Sequence, residues 1–335
     1  MTKREPGLDL FRCMGLLFVT GVHSFLYNGF YYQNQVGMAM WAASSVRWLF
    51  MGCNGIFLIL TGYLKSTKPL NRGYYRSLLP ILIGYFLTCA ISFPIRHFVL
   101  HETLTLAQWV EKLVTFGNYG WYVEMYIGLF LFAPVINLAL ERLKSTRELL
   151  WLAGTMVVLS SAPSVTPIHL IPDYWTALYP MTYYVLGAVI RRLQPKIHVW
   201  QGLLGAALVA AGLGLATVLS TDGPISQGYN DQGHGGFWVT MIVVCLFLAV
   251  YRVQPGPRMS KVLSWAAGGC FEGYMLSRLF DVWIYNQVPQ WHTPEKYPLI
   301  FLCITLPVFL LSLTAGRAVH AVAQRLAKPA PAKVP

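Results

Sequence analysis

The feature that most constrains this chain is a recurrence of apolar runs, each roughly 18–24 residues long and separated by short polar segments. At about 1.5 Å of rise per residue, such a run crosses the hydrocarbon core of a bilayer as one helix. Only 11% of the 335 residues are charged, well under the roughly one quarter carried by soluble domains. Hydropathy and turn residues place spans at 7–27, 47–64, 77–98, 120–140, 150–165, 175–190, 199–219, 237–252, 263–285 and 298–316. The predicted fold is all-α: a polytopic membrane bundle of about ten transmembrane helices. Residues 1–325 make one membrane domain, and 326–335, rich in Pro, read as a disordered cytoplasmic tail. The first run is too long for a signal peptide and lacks a small-residue cleavage site. No internal repeat is visible.

The net charge is +12, which in a soluble protein would point to nucleic acid. Here topology accounts for it. With the N-terminus inside, nineteen of the 25 Lys and Arg fall in cytoplasmic segments and only Lys112 and Lys296 in outer loops. That asymmetry obeys the positive-inside rule and predicts both termini in the cytoplasm. The partners implied are membrane lipid and an anionic cytosolic ligand, not nucleic acid. The six cysteines all lie within spans and form no CxxC pair, so neither a disulfide framework nor a metal site is read from them.

A charge inside a span costs several kcal/mol on insertion scales, so each one needs a partner or a wet cavity. The first span carries Asp9, Arg12 and His23. Asp9 and Arg12, at i and i+3, can pair. Eleven residues separate Arg12 from His23, about 1100° of helix, within about 20° of three full turns. Both side chains therefore share a face, about 16 Å apart, and that face must look into protein. A guanidinium near the cytoplasmic end suits an anion such as phosphate. An imidazole deep in the span suits a general base. The plain alternative is a snorkelling Arg12 paired with Asp9, and an interhelical hydrogen bond at His23.

These residues resemble the membrane acyltransferase 3 family, bacterial multi-span enzymes that acylate cell-surface glycans and related acceptors. The family's mark is a basic residue, ten intervening residues and a histidine in the first span, as in Asp9-Leu10-Phe11-Arg12 and His23. Gly55 to Leu64, with Thr61-Gly62-Tyr63, is similar to its second-span Phe-x-x-x-Ser-Gly-Tyr/Phe stretch. Arg72 and Arg76 ahead of Leu78-Leu79-Pro80 look like its basic loop, and Trp121 to Leu129 like its fourth-span segment. Tyr183 to Gly187 and Cys270 to Ser277 match later landmarks. Many members carry a histidine where Ser277 stands, a departure here.

The resemblance implies acyl-CoA, usually acetyl-CoA, as a cytosolic co-substrate and no permanently bound cofactor. The acceptor is a hydroxyl, often on the outer side. Arg12, with Arg72 or Arg76, would engage the donor, Asp9 would orient Arg12, and His23 would deprotonate the acceptor. The expected enzyme is an O-acetyltransferase of the bacterial cell membrane acting on a surface polysaccharide or lipid-linked glycan. A secondary transporter or flippase, with Arg12, His23 and Glu124 as a relay, is the competing class.

Glu124 and Glu272 are single carboxylates in apolar helices. Either can orient His23 or make a buried interhelical bond, and Glu124 is the preferred partner. Arg278 and Asp281, at i and i+3, read as a structural ion pair. Arg47 reads as interfacial, Arg96 and His97 as possible acceptor contacts, and Asn54 as a hydrogen-bonder to either substrate. The aromatic segments Tyr27 to Gln35 and Asn118 to Tyr122, including Trp121 and Tyr122, can hold a sugar ring, although interfacial belts also favour Tyr and Trp.

Overall fold

The computed structural model describes residues 5–34, 36–117, 120–162, 171–220, 234–287 and 293–327. Gln35, Asn118, Tyr119 and the tail from 328 onward lie outside them. Every regular element among the described residues is helical. In chain order these are α1 (Pro6–Tyr27), α2 (Met38–Phe50), α3 (Cys53–Lys65), α4 (Arg72–Arg76), α5 (Leu79–Phe98) and α6 (Leu106–Val114). Then come α7 (Trp121–Arg142), α8 (Thr146–Ser161), α9 (Tyr179–Leu193), α10 (Val199–Ser220), α11 (Phe237–Val250), α12 (Pro257–Ala267) and α13 (Cys270–Tyr285). The last stretch is α14 (Tyr297–Ile300), a π-turn over Phe301–Thr305 and α15 (Leu306–Leu326).

Six helical stretches are long and apolar enough to cross a membrane: Pro6–Tyr27, Met38–Lys65, Arg72–Phe98, Trp121–Arg142, Val199–Leu219 and Pro294–Leu326. The chain is a multi-pass membrane helix bundle. The other expected runs also contain helices, α8, α9, α11 and α13, each of 14 to 16 residues. Their ends follow local chemistry. Proline stands in the first turn of α1, α5, α9 and α12, where its missing N–H has no intrahelical role. Capping boxes, Thr105 with Gln108 and Ser145 with Glu148, start α6 and α8.

The second run departs from expectation. Its helix begins at Met38, not at residue 47, and breaks at Met51 and Gly52 between α2 and α3. Small residues, Ala42 to Ser45, dilute the hydropathy of α2 while letting it pack closely. Trp41 Nε1 donates to the Ala211 carbonyl and Trp48 Nε1 to Thr217 Oγ1, tying α2 to α10. Arg47 is therefore fully buried, not interfacial. Its Nε donates to Tyr31 Oη at 3.0 Å, and the guanidinium lies over the rings of Tyr31 and Trp48 at 5.1 and 4.7 Å.

Helix α1 is the hub: α2, α3, α11, α12, α13 and α15 all pack against it, so its polar residues meet protein and not lipid. Two glycine crossings set the helices around it. A Cβ on Gly62 or Gly187 would collide with the facing backbone of α9 or α3. A Cβ on Gly316 would collide with Gly269 and Gly273, so α15 lies directly on the first turn of α13. That crossing fixes the register of α13, which carries Glu272 and Asp281.

Candidate active site

Three cavities follow one another along α1. The widest, about 880 Å³, is lined by Arg12, Lys65, Lys261, Arg317 and His320, with Asp9 and Glu272 the acidic groups. Pro6 and Gln324 also line it, so the beginning of α1 and the end of α15 lie on one face of the bundle. Asp9 Oδ1 accepts from Arg12 Nη1 at 3.1 Å. Glu272 Oε1 meets His320 Nδ1 at 2.9 Å. With both acids engaged, Lys261 and Arg317 leave the chamber with surplus positive charge, and Trp265 of α12 adds a flat wall beside them.

A neck of about 20 Å³ follows, lined by Val19, Asn54, Phe57, Tyr122, Phe271 and Tyr274. It shares Phe57, Tyr122 and Phe271 with the chamber, and Val19, Asn54 and Tyr274 with a third cavity of about 80 Å³. Edge-on ring contacts of Tyr122 with Phe57 and Tyr274, at 6.0 and 5.7 Å, make the neck aromatic. Asn54 Nδ2 and Tyr122 Oη are buried there without a hydrogen-bond partner among the described residues.

The third cavity holds His23. Its Nδ1 lies 2.6 Å from Asp281 Oδ2, and that carboxylate is almost wholly buried. An ionised carboxylate only accepts, so Nδ1 carries the hydrogen and Nε2 is left as the basic atom. Asp281, expected to pair with Arg278, makes its hydrogen bond to His23, and Arg278 lines the same cavity. A second imidazole, unanticipated from sequence, enters from before α11. His234 Nδ1 donates to the Met51 carbonyl at 3.0 Å, at the break between α2 and α3. Its ring lies 6.2 Å from that of Trp121, which lines the cavity too. The only signal in the sequence was a histidine three residues before an apolar helix start.

Other expected residues fall elsewhere. Glu124, the preferred partner of His23, lies on the exposed side of the first turn of α7. A carboxylate there complements the helix dipole, and it lines none of the three cavities. Glu272 belongs to the chamber and His320. Arg72 and Arg76 are exposed on α4 and do not line the chamber. Arg96 is held by Glu102 through Nε and Nη2, at 2.9 and 2.5 Å, over the Trp109 ring. Ser277 lines the His23 cavity, with its Oγ donating to the Tyr274 carbonyl.

A family model described as an acyltransferase domain, that of the acyltransferase 3 family, matches residues 5–317. The chain belongs to that family. Neither a curated protein nor a solved structure matches it. In this membrane acyltransferase the segments that carry the resemblance meet in space. The Thr61-Gly62-Tyr63 segment crosses Tyr183 to Gly187 at the α3–α9 glycines, and Cys270 to Ser277 packs on α15 and on α1. Part of the sequence pattern therefore records helix crossings, and only part records chemistry.

Proposed function

We propose that the protein crosses the bacterial cell membrane ten times with both ends inside, and moves an acetyl or similar short acyl group from cytosolic acyl-CoA to a hydroxyl. The acceptor in this reading is a surface polysaccharide or lipid-linked glycan. The observation that carries the proposal is the run of cavities from a basic chamber, through a narrow neck, to a histidine oriented by a buried carboxylate. A long donor with an anionic head and a reactive tip matches that run. Arg12, Lys261 and Arg317 hold its phosphates, Trp265 gives its base a stacking surface, and the thioester lies in the neck.

The acceptor enters the His23 cavity from the opposite side, beside Trp121 and His234. As its oxygen adds to the thioester carbonyl carbon, its proton passes to His23 Nε2. Asp281 stabilises the imidazolium that forms. Collapse breaks the C–S bond, and the CoA sulfur takes the proton from His23, so the imidazole returns to its starting state. The aromatic neck keeps bulk water from the thioester. The experiment is to incubate purified protein in nanodiscs with radiolabelled acetyl-CoA and a panel of glycans. Labelled glycan with matching release of CoA supports the reading. Gradient-driven glycan uptake into liposomes without acetylation would replace it with a transporter.

A further inference from the structure

Among the described residues, two buried donors in the neck have no partner, and neither the His23 chemistry nor the donor grip uses them. Asn54 is 3% exposed and Tyr122 5%; Nδ2 of the first and Oη of the second make no hydrogen bond among the described residues. Leaving such a group unsatisfied costs about 1–3 kcal/mol, and native structures hold few of them. Both line the neck, the space that separates the basic chamber from the His23 cavity. Asn54 borders the His23 cavity as well, and Tyr122 the chamber.

Their placement on the chain adds a field of one sign. Asn54 is the second residue of α3, and Tyr122 the second residue of α7. Phe271, which also lines the neck, is the second residue of α13. Three helix N-termini therefore converge on one small volume, each bringing the partial positive charge of a helix start. The start of α3 is there because the chain breaks at Met51 and Gly52. An uncharged thioester does not need such a setting; a developing oxyanion does.

We propose that Asn54 Nδ2 and Tyr122 Oη form an oxyanion hole for the acyl transfer. This rests on the acyl-CoA reading above and adds two catalytic residues to it. When the acceptor oxygen adds to the carbonyl carbon, the C=O π electrons move onto oxygen, and the two donors bind the O⁻ so formed. When that pair returns to rebuild the carbonyl, the C–S bond breaks and both hydrogen bonds weaken. The donors act in a site screened from water by Phe57, Phe271 and Tyr274, where such bonds count for more than in solution. They also act on the transition state more than on the ground state, so their loss is read in kcat and not in donor affinity.

The test uses the full chain in nanodiscs with acetyl-CoA as donor. Asn54→Leu keeps the branching of the side chain while removing its donor, and Tyr122→Phe removes only the hydroxyl. The expected result is a kcat lowered about 10²–10³-fold for Asn54→Leu and at least about tenfold for Tyr122→Phe, with KM for acetyl-CoA and Kd for free CoA within about twofold. A CoA thioether ending in a methylphosphonate, which carries anionic oxygens at the tetrahedral position, should lose affinity in both variants while CoA does not. Retention of CoA binding shows that the variants are folded. Turnover within about threefold of wild type in both variants overturns the proposal. So does an equal loss of affinity for CoA and for the phosphonate. A wild-type protein that transfers no acetyl group to any acceptor overturns the acyl-transfer reading itself, and the oxyanion hole with it.

Discussion

Replacing Asp281 by Asn removes the charge that faces His23 while leaving the shape of α13 intact. Asp281 Oδ2 lies 2.6 Å from His23 Nδ1, and the Asp281 side chain is 1% exposed. At that burial neither water nor salt can substitute for the carboxylate. Removing one partner of a buried ion pair costs about 3–5 kcal/mol, and here the pair exists as ions only while His23 holds the acceptor's proton. The cost therefore falls on the transition state. At about 1.4 kcal/mol per decade, it amounts to a kcat reduced about 10²–10⁴-fold. A second effect acts in the same direction: an Asn amide that donates to Nδ1 moves the imidazole hydrogen to Nε2 and leaves no base in the cavity. The assay is radiolabelled acetyl transfer in nanodiscs, with kcat and the KM for acetyl-CoA measured separately. Unchanged KM is expected, because Asp281 lies outside the chamber. A kcat for Asp281→Asn within about fivefold of wild type would return Asp281 to a packing role.

Three further outcomes can be checked in the same system. Lys261→Ala and Arg317→Ala should each raise the KM for acetyl-CoA about tenfold or more, at about 1.5–3 kcal/mol per charge-assisted phosphate contact, yet leave acetyl-pantetheine kinetics unchanged; Arg72→Ala and Arg76→Ala should move neither. Glu124→Gln should keep activity within about twofold, since the carboxylate faces out from the first turn of α7; a hundredfold loss would mean that it reaches the site. Gly316→Val should abolish a monodisperse peak in fluorescence-detected size exclusion, because its Cβ meets the α13 backbone, whereas Gly212→Val, with open space around it, should run like wild type.

How much of this was legible in the sequence depends on the range over which each signal acts. The relation of Arg12 to His23 is a property of one helix, so periodicity alone puts them on one face, and the structure has them lining a chamber and a cavity along that face. The glycines of the family segments were visible as residues, but their purpose, crossings with helices more than 40 positions away, was not. Asp281 was assigned to Arg278 because a single sequence reveals only near neighbours on a helix; its hydrogen-bond partner lies 258 residues earlier. Glu124 attracted a catalytic reading as a carboxylate in an apolar run; the structure places it on the exposed side of α7, outside the three cavities. Arg317 and Lys261 were absorbed into the positive-inside count, which explains a basic residue so readily that it conceals one aimed into a cavity. Arg47 was placed by hydropathy at a boundary, and the small residues of α2 hid the true start of that helix.

The proposed transfer depends on the imidazole of α1. The decisive measurement is single-turnover transfer of radiolabelled acetyl from acetyl-CoA by His23→Ala protein in nanodiscs, beside calorimetric binding of CoA to the same preparation. Transfer reduced at least about 10³-fold, with CoA bound as tightly as by wild type, is the result expected when a general base is lost and the donor chamber is intact. Transfer at the wild-type rate in that folded, CoA-binding variant would show that His23 is not the general base.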